Sequence, residues 1–172
     1  MFPDKTTYFR GKFMARLPDR FDLWVQKARA STNTDRQMDW VLGALVAREE
    51  LFFLNSGTKE QPSIAQVEMS EEGCALVFTD GERIEEFMRA QADAAGERSV
   101  IASPSASALT WCVDNRLGLI INPAVGETAW IVAETLACYL VEWKQRGGRQ
   151  AAGFWIPNMT TQEEDFWQEN GL

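Results

Sequence analysis

The chain has 172 residues, of which 45% are hydrophobic and 11% aromatic, enough for one domain with a substantial core. It has a formal net charge of −8 and no histidine, which excludes serine–histidine and cysteine–histidine nucleophiles and histidine metal sites. No window reaches the roughly eighteen uninterrupted apolar residues of a membrane span. Residues 1–5 lead into charged sequence, without a signal-peptide core, so we expect a cytoplasmic protein of bacterial type.

The charge is distributed unevenly along the chain. Residues 1–36 hold eight basic and four acidic side chains, so this segment carries +4 and the remainder −12. The rest of the chain, which we call the acidic body, repels the phosphate backbones of nucleic acids, and this argues against nucleic-acid binding. Residues 1–20 alternate basic and aromatic types, a pattern shared by single-strand stacking sites and by docking arms. We favour an arm that lies on its own acidic body or on a second subunit.

Two helices are predicted in the first quarter of the chain. The apolar residues within 21–28 indicate a short helix that ends near Ser31. Thr34-Asp35-Arg36-Gln37 matches a capping box. After it, apolar residues recur at the spacing of one helix face and predict an amphipathic helix; they are Met38, Val41, Leu42, Leu45 and Val46.

Strands dominate the next part of the chain. Apolar runs at 50–54, 63–69 and 74–79 are separated by short polar connections, which predicts an antiparallel meander. Further on, the predicted elements are a helix over 82–95 after the capping box Thr79-Asp80-Gly81-Glu82, a strand over 100–102, a short helix after Ser103-Pro104, a strand over 117–122 and a long helix over about 128–144. Strands that alternate with helices indicate parallel βαβ crossovers. The predicted fold is therefore α/β (α+β), with a mixed sheet of about five strands flanked by helices.

The C-terminal tail at 148–172 is rich in aromatic residues. We predict a short edge strand at 151–157 and an acidic amphipathic helical turn at 161–167. Because exposed aromatic rings are costly in water, we expect this tail to dock on its own domain or on a partner chain, with docking within the chain favoured. Cys74, Cys112 and Cys138 form no C-x-x-C pair and are interpreted as buried, inert thiols.

Three stretches in the middle of the chain carry a resemblance to a known family. They are Ala75-Leu76-Val77-Phe78-Thr79-Asp80 with the helix that follows, the strand–helix unit through Trp111, and Gly118-Leu119-Ile120-Ile121-Asn122-Pro123. The resemblance is to the N-terminal domain of the SseB (enhanced serine sensitivity) family. It covers about residues 36–146. It implies a single small α/β domain of the bacterial cytoplasm, with no catalytic residues to transfer, flanked here by the arm at 1–20 and the tail at 148–172.

Polar residues at the strand ends are the candidate ligand site. Ligands of α/β sheets bind at the carboxyl ends of parallel strands, where helix-start amides can hold an anion or a small polar molecule. The residues there are Thr79, Asp80, Ser103, Ser105 and Asn122. The alternative, which we favour, is that they only cap helices. Glutamate doublets such as Glu71-Glu72 diverge in direction and are interpreted as solvated faces, not as acid–base or metal sites.

Seven tryptophans are the better clue to activity, because tryptophan is enriched at interface hot spots. Trp24, Trp155 and Trp167 lie outside the expected core and are the candidate partner surface; the alternative is that the termini wrap the domain. The leading hypothesis is a non-enzymatic protein-interaction or regulatory domain that needs no cofactor and can self-associate. Small-molecule or anion binding at the strand ends and an immunity-type inhibitor with an acidic surface are the alternatives.

Overall fold

The computed structural model describes residues 20–91, 99–147 and 156–170. Along the chain these residues form α1 (Arg20–Ala30), α2 (Thr34–Val46), β1 (Glu50–Asn55), β2 (Gln66–Met69), β3 (Glu72–Phe78), α3 (Gly81–Ala90), β4 (Ser99–Pro104), α4 (Ser105–Asp114), β5 (Gly118–Ile121), β6 (Ala129–Ile131), α5 (Ala133–Gln145) and α6 (Thr161–Asn170). The predicted arm, up to residue 19, and most of the edge strand predicted at 151–157 lie outside the described residues.

One mixed sheet organises the fold. Its order is β4-β1-β3-β5-β6, and β2 also pairs with β3. β3 and β5 are parallel, with Ala75 opposite Leu119, and the other pairs are antiparallel. Because β5 lines one edge of β3, the other edge is shared: β2 pairs with residues 72–75 and β1 with residues 77–78. The predicted mixed sheet flanked by helices is confirmed.

The strand order differs from the prediction in two details. β1 lies directly beside β3, so the first three strands do not follow one another across the sheet as a meander. β4 pairs with β1 along its whole length, and the connection from β3 through α3 to β4 therefore passes over β1. β4 nevertheless runs in the same direction as β3 and β5, because β1 is antiparallel to both of its neighbours.

Alternation along the strands directs side chains into two apolar clusters on opposite faces of the sheet. The larger cluster holds Phe53, Val77 and Ile121 together with residues of α1, α2, α4 and α5. The smaller one lies under α3, where Phe87 packs on Phe78 with ring centroids 5.1 Å apart. Among the described residues, four helices thus contribute to the apolar cluster on one face of the sheet and α3 contributes to that on the other.

The long helix predicted over 128–144 is divided in the structure. Ala129–Ile131 form β6, which places Trp130 opposite Ile120, and α5 begins only at Ala133. Residues 128–132 are rich in β-branched and aromatic types and follow a turn with Gly126 at φ +84°. Such residues favour pairing with the open edge of β5. The helical periodicity therefore predicts a beginning for this helix, at about residue 128, that is too early.

The caps of α2 and α4 also differ from those predicted. Asn33, not Thr34, caps α2, because its side-chain oxygen accepts a 3.2 Å hydrogen bond from the N–H of Arg36. Asparagine is the stronger capping residue of the two. At α4 the cap position is Pro104 and not Ser103, and no side chain bonds to the helix start there.

The three cysteines have different surroundings. Cys74 and Cys112 are buried, and burial raises the pKa of the Cys74 thiol and raises that of Cys112 to about 12. Cys138 is exposed, so its predicted burial is wrong. The reason is the position on α5: Leu140 faces the core, whereas Val141 and Cys138 face outward.

The longest of the described helices, α2 and α5, have 13 residues each. A membrane-crossing helix needs about 20 apolar residues. Among residues 20–91, 99–147 and 156–170, no helix has the length and apolar character for such a crossing.

Gly118 in β5 is enclosed so closely that a side chain does not fit. A Cβ atom there would lie 2.8 Å from the carbonyl oxygen of Ile131 and 3.0 Å from Cys74 Sγ. We expect Gly118→Ala to lower the free energy of unfolding by about 1–3 kcal/mol in urea denaturation. Gly81→Ala is the matched control, because the atom nearest to its Cβ is in the Phe52 ring at 4.0 Å. Equal losses in both variants would contradict the close approach at β5.

Candidate functional site

The structure gathers only part of the ligand site predicted at the strand ends. β3 and β5 are parallel neighbours, so Thr79 and Asn122 lie side by side. β4 runs in the same direction but is separated from β3 by β1. Two strand spacings amount to about 10 Å, so Ser103 and Ser105 do not join Thr79, Asp80 and Asn122 in one site.

Thr79 and Asn122 are hydrogen-bonded to each other. Asn122 Oδ1 accepts from the backbone N–H of Thr79 at 3.0 Å, and Asn122 Nδ2 donates to Thr79 Oγ1 at 3.0 Å. Both residues are buried, and Asn122 has φ +48°, a left-handed conformation that asparagine tolerates better than most residues. Their polar atoms therefore join the ends of β3 and β5.

A buried arginine lies beside these strand ends. Arg83 in α3 is fully buried, and its Nη1 and Nη2 donate to the two carboxylate oxygens of Asp22 at 2.9 and 2.8 Å. Its Nε donates to Asp80 at 2.8 Å. Asp22, on α1, also accepts from the N–H of Glu127 at 2.9 Å, and Arg83 Nη1 donates to the carbonyl of Val125 at 3.3 Å. This network joins α1, α3 and the loop between β5 and β6.

The network accounts for two further features at the strand ends. Asp80, not Thr79, caps α3, since its carboxylate accepts from the N–H of Arg83 at 2.9 Å. A Cβ atom at Gly126 would lie 2.6 Å from Arg83 Nη1 and 2.9 Å from Asp22 Oδ1, so the glycine lets the loop approach the ion pair. The positive charge at the strand ends is thus balanced by carboxylates of the chain itself.

The two serines belong to the edge of the sheet formed by β4. Ser105 begins α4 and is 1% exposed, and its N–H donates to the carbonyl of Glu49 at 3.0 Å. Ser103 pairs with Leu51 of β1. The strand ends therefore hold framework contacts, in agreement with the helix-cap interpretation of Asp80.

The predicted partner tryptophans have a different arrangement. Trp24 in α1 is only 1% exposed, so it belongs to the core and offers little open surface. Trp167 in α6 packs on it, with ring centroids 4.7 Å apart. The described part of the tail thus contacts its own domain. Trp155 lies outside the described residues.

A second aromatic contact lies next to this one. Phe166 of α6 meets Trp40 of α2 edge to face at 5.4 Å, and Lys27 Nζ of α1 lies 4.9 Å from the Phe166 ring centroid. A cation over an aromatic ring is attracted by the ring's negative face. α6 therefore lies across both α1 and α2. We call the surface beneath it, formed by Trp24, Lys27, Arg36 and Trp40, the α6-docking surface.

Arg36 holds the start of α6. Its Nε donates to Glu163 Oε1 at 2.7 Å, and its Nη2 pairs with the other carboxylate oxygen. Trp40 Nε1 donates to Glu163 Oε1 at 3.1 Å. Arg36 also donates to the carbonyl oxygens of Pro157 and Asn158, the latter at 3.1 Å. One guanidinium group thus fixes both the first turn of α6 and the segment that leads into it.

Glu163 also closes a capping box at the start of α6. Its carboxylate accepts from the N–H of Thr160 at 2.8 Å, and Thr160 Oγ1 accepts from the N–H of Glu163 at 3.3 Å. Burial disfavours the ionised carboxyl, but the hydrogen bonds from Arg36 and Thr160 outweigh burial and lower the pKa of Glu163 to about 2. The stabilisation is therefore present above the ordinary pKa of 4.5 and is lost as the pH falls through about 2.

A second carboxyl group shares the same arginine. Asp39 Oδ2 lies 3.7 Å from Arg36 Nη1. Burial raises the pKa of Asp39 to about 6. The positive charge of Arg36 lowers this pKa, and the negative charges of Glu142 and Glu163 raise it further. Burial and the charge of Asp39 also raise the pKa of Tyr139 on α5. Asp39 therefore opposes the folded state increasingly as the pH rises from 3.8 to about 6.

Apart from Asp80, the charged residues of these contacts are not among the sites predicted from the sequence. Arg83 and Asp22 stand out only as charges within apolar helical stripes, a sign of buried pairing. At α6, Thr160 and Glu163 form a visible T-x-x-E capping pattern. The partner of Glu163, Arg36, is 127 residues away, and no local pattern points to it.

No protein-family model, curated protein or solved structure matches this chain. The resemblance of residues 36–146 to the SseB N-terminal domain stays a prediction. The contacts of α6 and the charges around them are then the features that bear on function.

Replacement of the buried arginine tests the network at the strand ends. Arg83→Met leaves Asp22 and Asp80 without their buried counter-charge, and we expect a loss of about 3–5 kcal/mol in the free energy of unfolding. Arg89→Met, at an exposed position of the same helix, is the matched control and should change stability by less than about 0.5 kcal/mol. Similar losses in the two variants, measured by urea denaturation, would show that the pair does not hold α1 in place.

Glu163→Gln tests the contact with Arg36. The change keeps the side-chain shape but removes the charge, so we expect amide hydrogens of residues 161–170 to lose about ten-fold in exchange protection. Glu164→Gln is the control, because Glu164 is the exposed neighbour in the same helical turn and meets the same helix dipole. The difference between wild type and Glu163→Gln should shrink as the pH falls from 4.5 towards 2. Equal effects of the two substitutions would refute a specific role of Glu163.

Proposed function

We propose that this chain is a non-enzymatic protein-interaction domain of the bacterial cytoplasm, and that its α6-docking surface binds a helical segment of a protein partner. The observation that carries the proposal is the way α6 is held, by the side chains of Trp24, Arg36 and Trp40. Amphipathic helices bind other proteins through such side-chain contacts. In this interpretation α6 is a built-in occupant that a partner displaces, which makes the domain regulatory.

The chemistry of α6 defines the helix that the surface would accept. Arg36 and the indole N–H of Trp40 meet a carboxylate in the first helical turn, Glu163. Three and four positions later, Phe166 and Trp167 meet the aromatic side chains. A partner helix with an early carboxylate followed by an aromatic pair supplies the same contacts.

Charge supports the same assignment. The whole chain carries −8, and so acidic a protein repels acidic segments in general. At the α6-docking surface, however, Lys27 and Arg36 present positive charge to α6, whose other acidic residues are Glu164, Asp165 and Glu169. A local basic surface on an acidic protein selects an acidic helix and orients its approach.

The alternative functions are less well supported by the contacts. For a small molecule or anion, Thr79 and Asn122 are hydrogen-bonded to each other and Asp80 caps α3, so a ligand would displace existing bonds. An immunity-type inhibitor would use an acidic surface, and no contact among the described residues distinguishes such a surface from solvated carboxylates. Self-association through the α6-docking surface is one form of the proposed interaction, with α6 of a second copy as the helix.

A peptide in trans tests the proposal. The full-length double variant Glu163→Gln, Trp167→Ala loosens its own α6, and a fluorescein-labelled peptide of residues 156–172 supplies the helix. We expect the peptide to bind this variant about ten-fold more tightly than the wild-type chain. In the wild-type chain α6 occupies the α6-docking surface, and because the state with a free surface is rarely populated, the apparent affinity for the peptide is weaker. Fluorescence anisotropy measures both affinities.

Two matched peptides provide the control for this experiment. A peptide with Glu163→Gln should bind the loosened variant about ten-fold more weakly, because it lacks the charge that Arg36 meets. A peptide with Glu164→Gln should bind like the unmodified one. Equal binding to wild type and variant, or equal affinities of the two modified peptides, would overturn the proposal.

A further inference from the structure

We infer that pH controls how firmly α6 is held, because Arg36 is shared between the carboxylate of Glu163 on α6 and that of Asp39 on its own helix. The inference deepens the proposed function and rests on it, since it concerns when the α6-docking surface is free. It adds a form of regulation that needs no partner to operate.

The shared arginine is the geometric basis. Arg36 Nε lies 2.7 Å from Glu163, and Arg36 Nη1 lies 3.7 Å from Asp39. The three side chains are 19%, 14% and 24% exposed, respectively, so water screens their charges only in part. One cation in this site therefore faces two carboxyl groups, and the nearer one is on the segment that can leave.

The other groups around Asp39 make a second negative charge there unfavourable. Both α2 and α5 contribute acidic or phenolic groups, and the cation comes from α2. Within the described part of the chain, the groups that face Asp39 are Asp35 and Arg36 from α2, Tyr139 and Glu142 from α5, and Glu163 from α6. With one cation among three carboxylates and a phenol, docked Glu163 and ionised Asp39 repel each other.

The direction of the effect follows from the two acid groups. Burial places the pKa of Asp39 at about 6, while Glu163 ionises at about 2. Between the ordinary pKa of glutamate, 4.5, and pH 6, Glu163 is charged, Asp39 is neutral, and Arg36 serves Glu163. Above pH 6, ionised Asp39 repels Glu163 and competes for Arg36, so linkage requires that α6 is released more easily as the pH rises.

Hydrogen exchange of the full-length chain measures this release. After correction for intrinsic exchange, we expect the opening equilibrium of residues 161–170 to rise about three- to ten-fold between pH 5 and pH 7.5. If the whole displacement of the Asp39 pKa from 3.8 to about 6 acted on α6, the opening equilibrium would change roughly hundred-fold. The expected change is a fraction of that limit. Asp39→Asn, which imitates the neutral acid, should hold the opening equilibrium near the wild-type pH 5 value at both pH values.

Two further variants keep the test specific. Glu163→Gln should also lose the pH dependence, because the charge that ionised Asp39 repels is gone, whereas Asp165→Asn, exposed on α6, should keep it. An opening equilibrium that is the same at both pH values in wild type, or that changes equally in Asp39→Asn, would overturn the inference. Should α6 open with pH as expected while the peptide fails to bind in trans, the proposed function would fail and the pH control of α6 would stand.

Discussion

The bidentate ion pair between Arg83 and Asp22 is the interaction on which the rest of the structure depends. It lies at the ends of the two parallel strands and ties α1 to α3 and to the loop that carries Glu127. A buried pair of this kind adds little net stability compared with an apolar core, but any displacement of α1 takes Asp22 away from the buried Arg83 and so breaks the bidentate pair. Trp24 and Lys27 follow Asp22 on α1, so the pair sets the place of half of the α6-docking surface.

A second ion pair, between Arg36 and Glu163, differs from the first in a way that bears on function. Arg83 is fully buried, whereas Arg36 retains 19% and Glu163 14% exposure. The contacts of a partly exposed ion pair can be replaced by contacts with water or with another carboxylate at a modest cost in free energy. Those of a fully buried ion pair cannot. The domain therefore combines a fixed arrangement of α1, α3 and the sheet with a C-terminal helix held by contacts that a competing helix can replace.

Much of the fold is accessible from the sequence, because periodicity and caps are local signals. The spacing of Met38, Val41 and Leu45 predicts α2, and parallel strands predict that Thr79 and Asn122 meet. Strand order is harder to predict from the sequence. The residues of β6 belong to a run that also has helical spacing, and their pairing with β5 depends on the turn at Gly126. The site is harder still. An excess of tryptophan singles out Trp24 and Trp167, but their contact with each other depends on how α6 returns to α1.

Binding of a helical segment at the α6-docking surface is tested most directly by locating a helix bound in trans. In an NMR experiment on the isotope-labelled full-length double variant Glu163→Gln, Trp167→Ala with an unlabelled peptide of residues 156–172, intermolecular NOEs report which rings touch the peptide. We expect NOEs from the peptide's indole to Trp24 and from its phenyl ring to Trp40. NOEs to another face of the domain, or none at saturating peptide, would show that the helix does not bind the α6-docking surface.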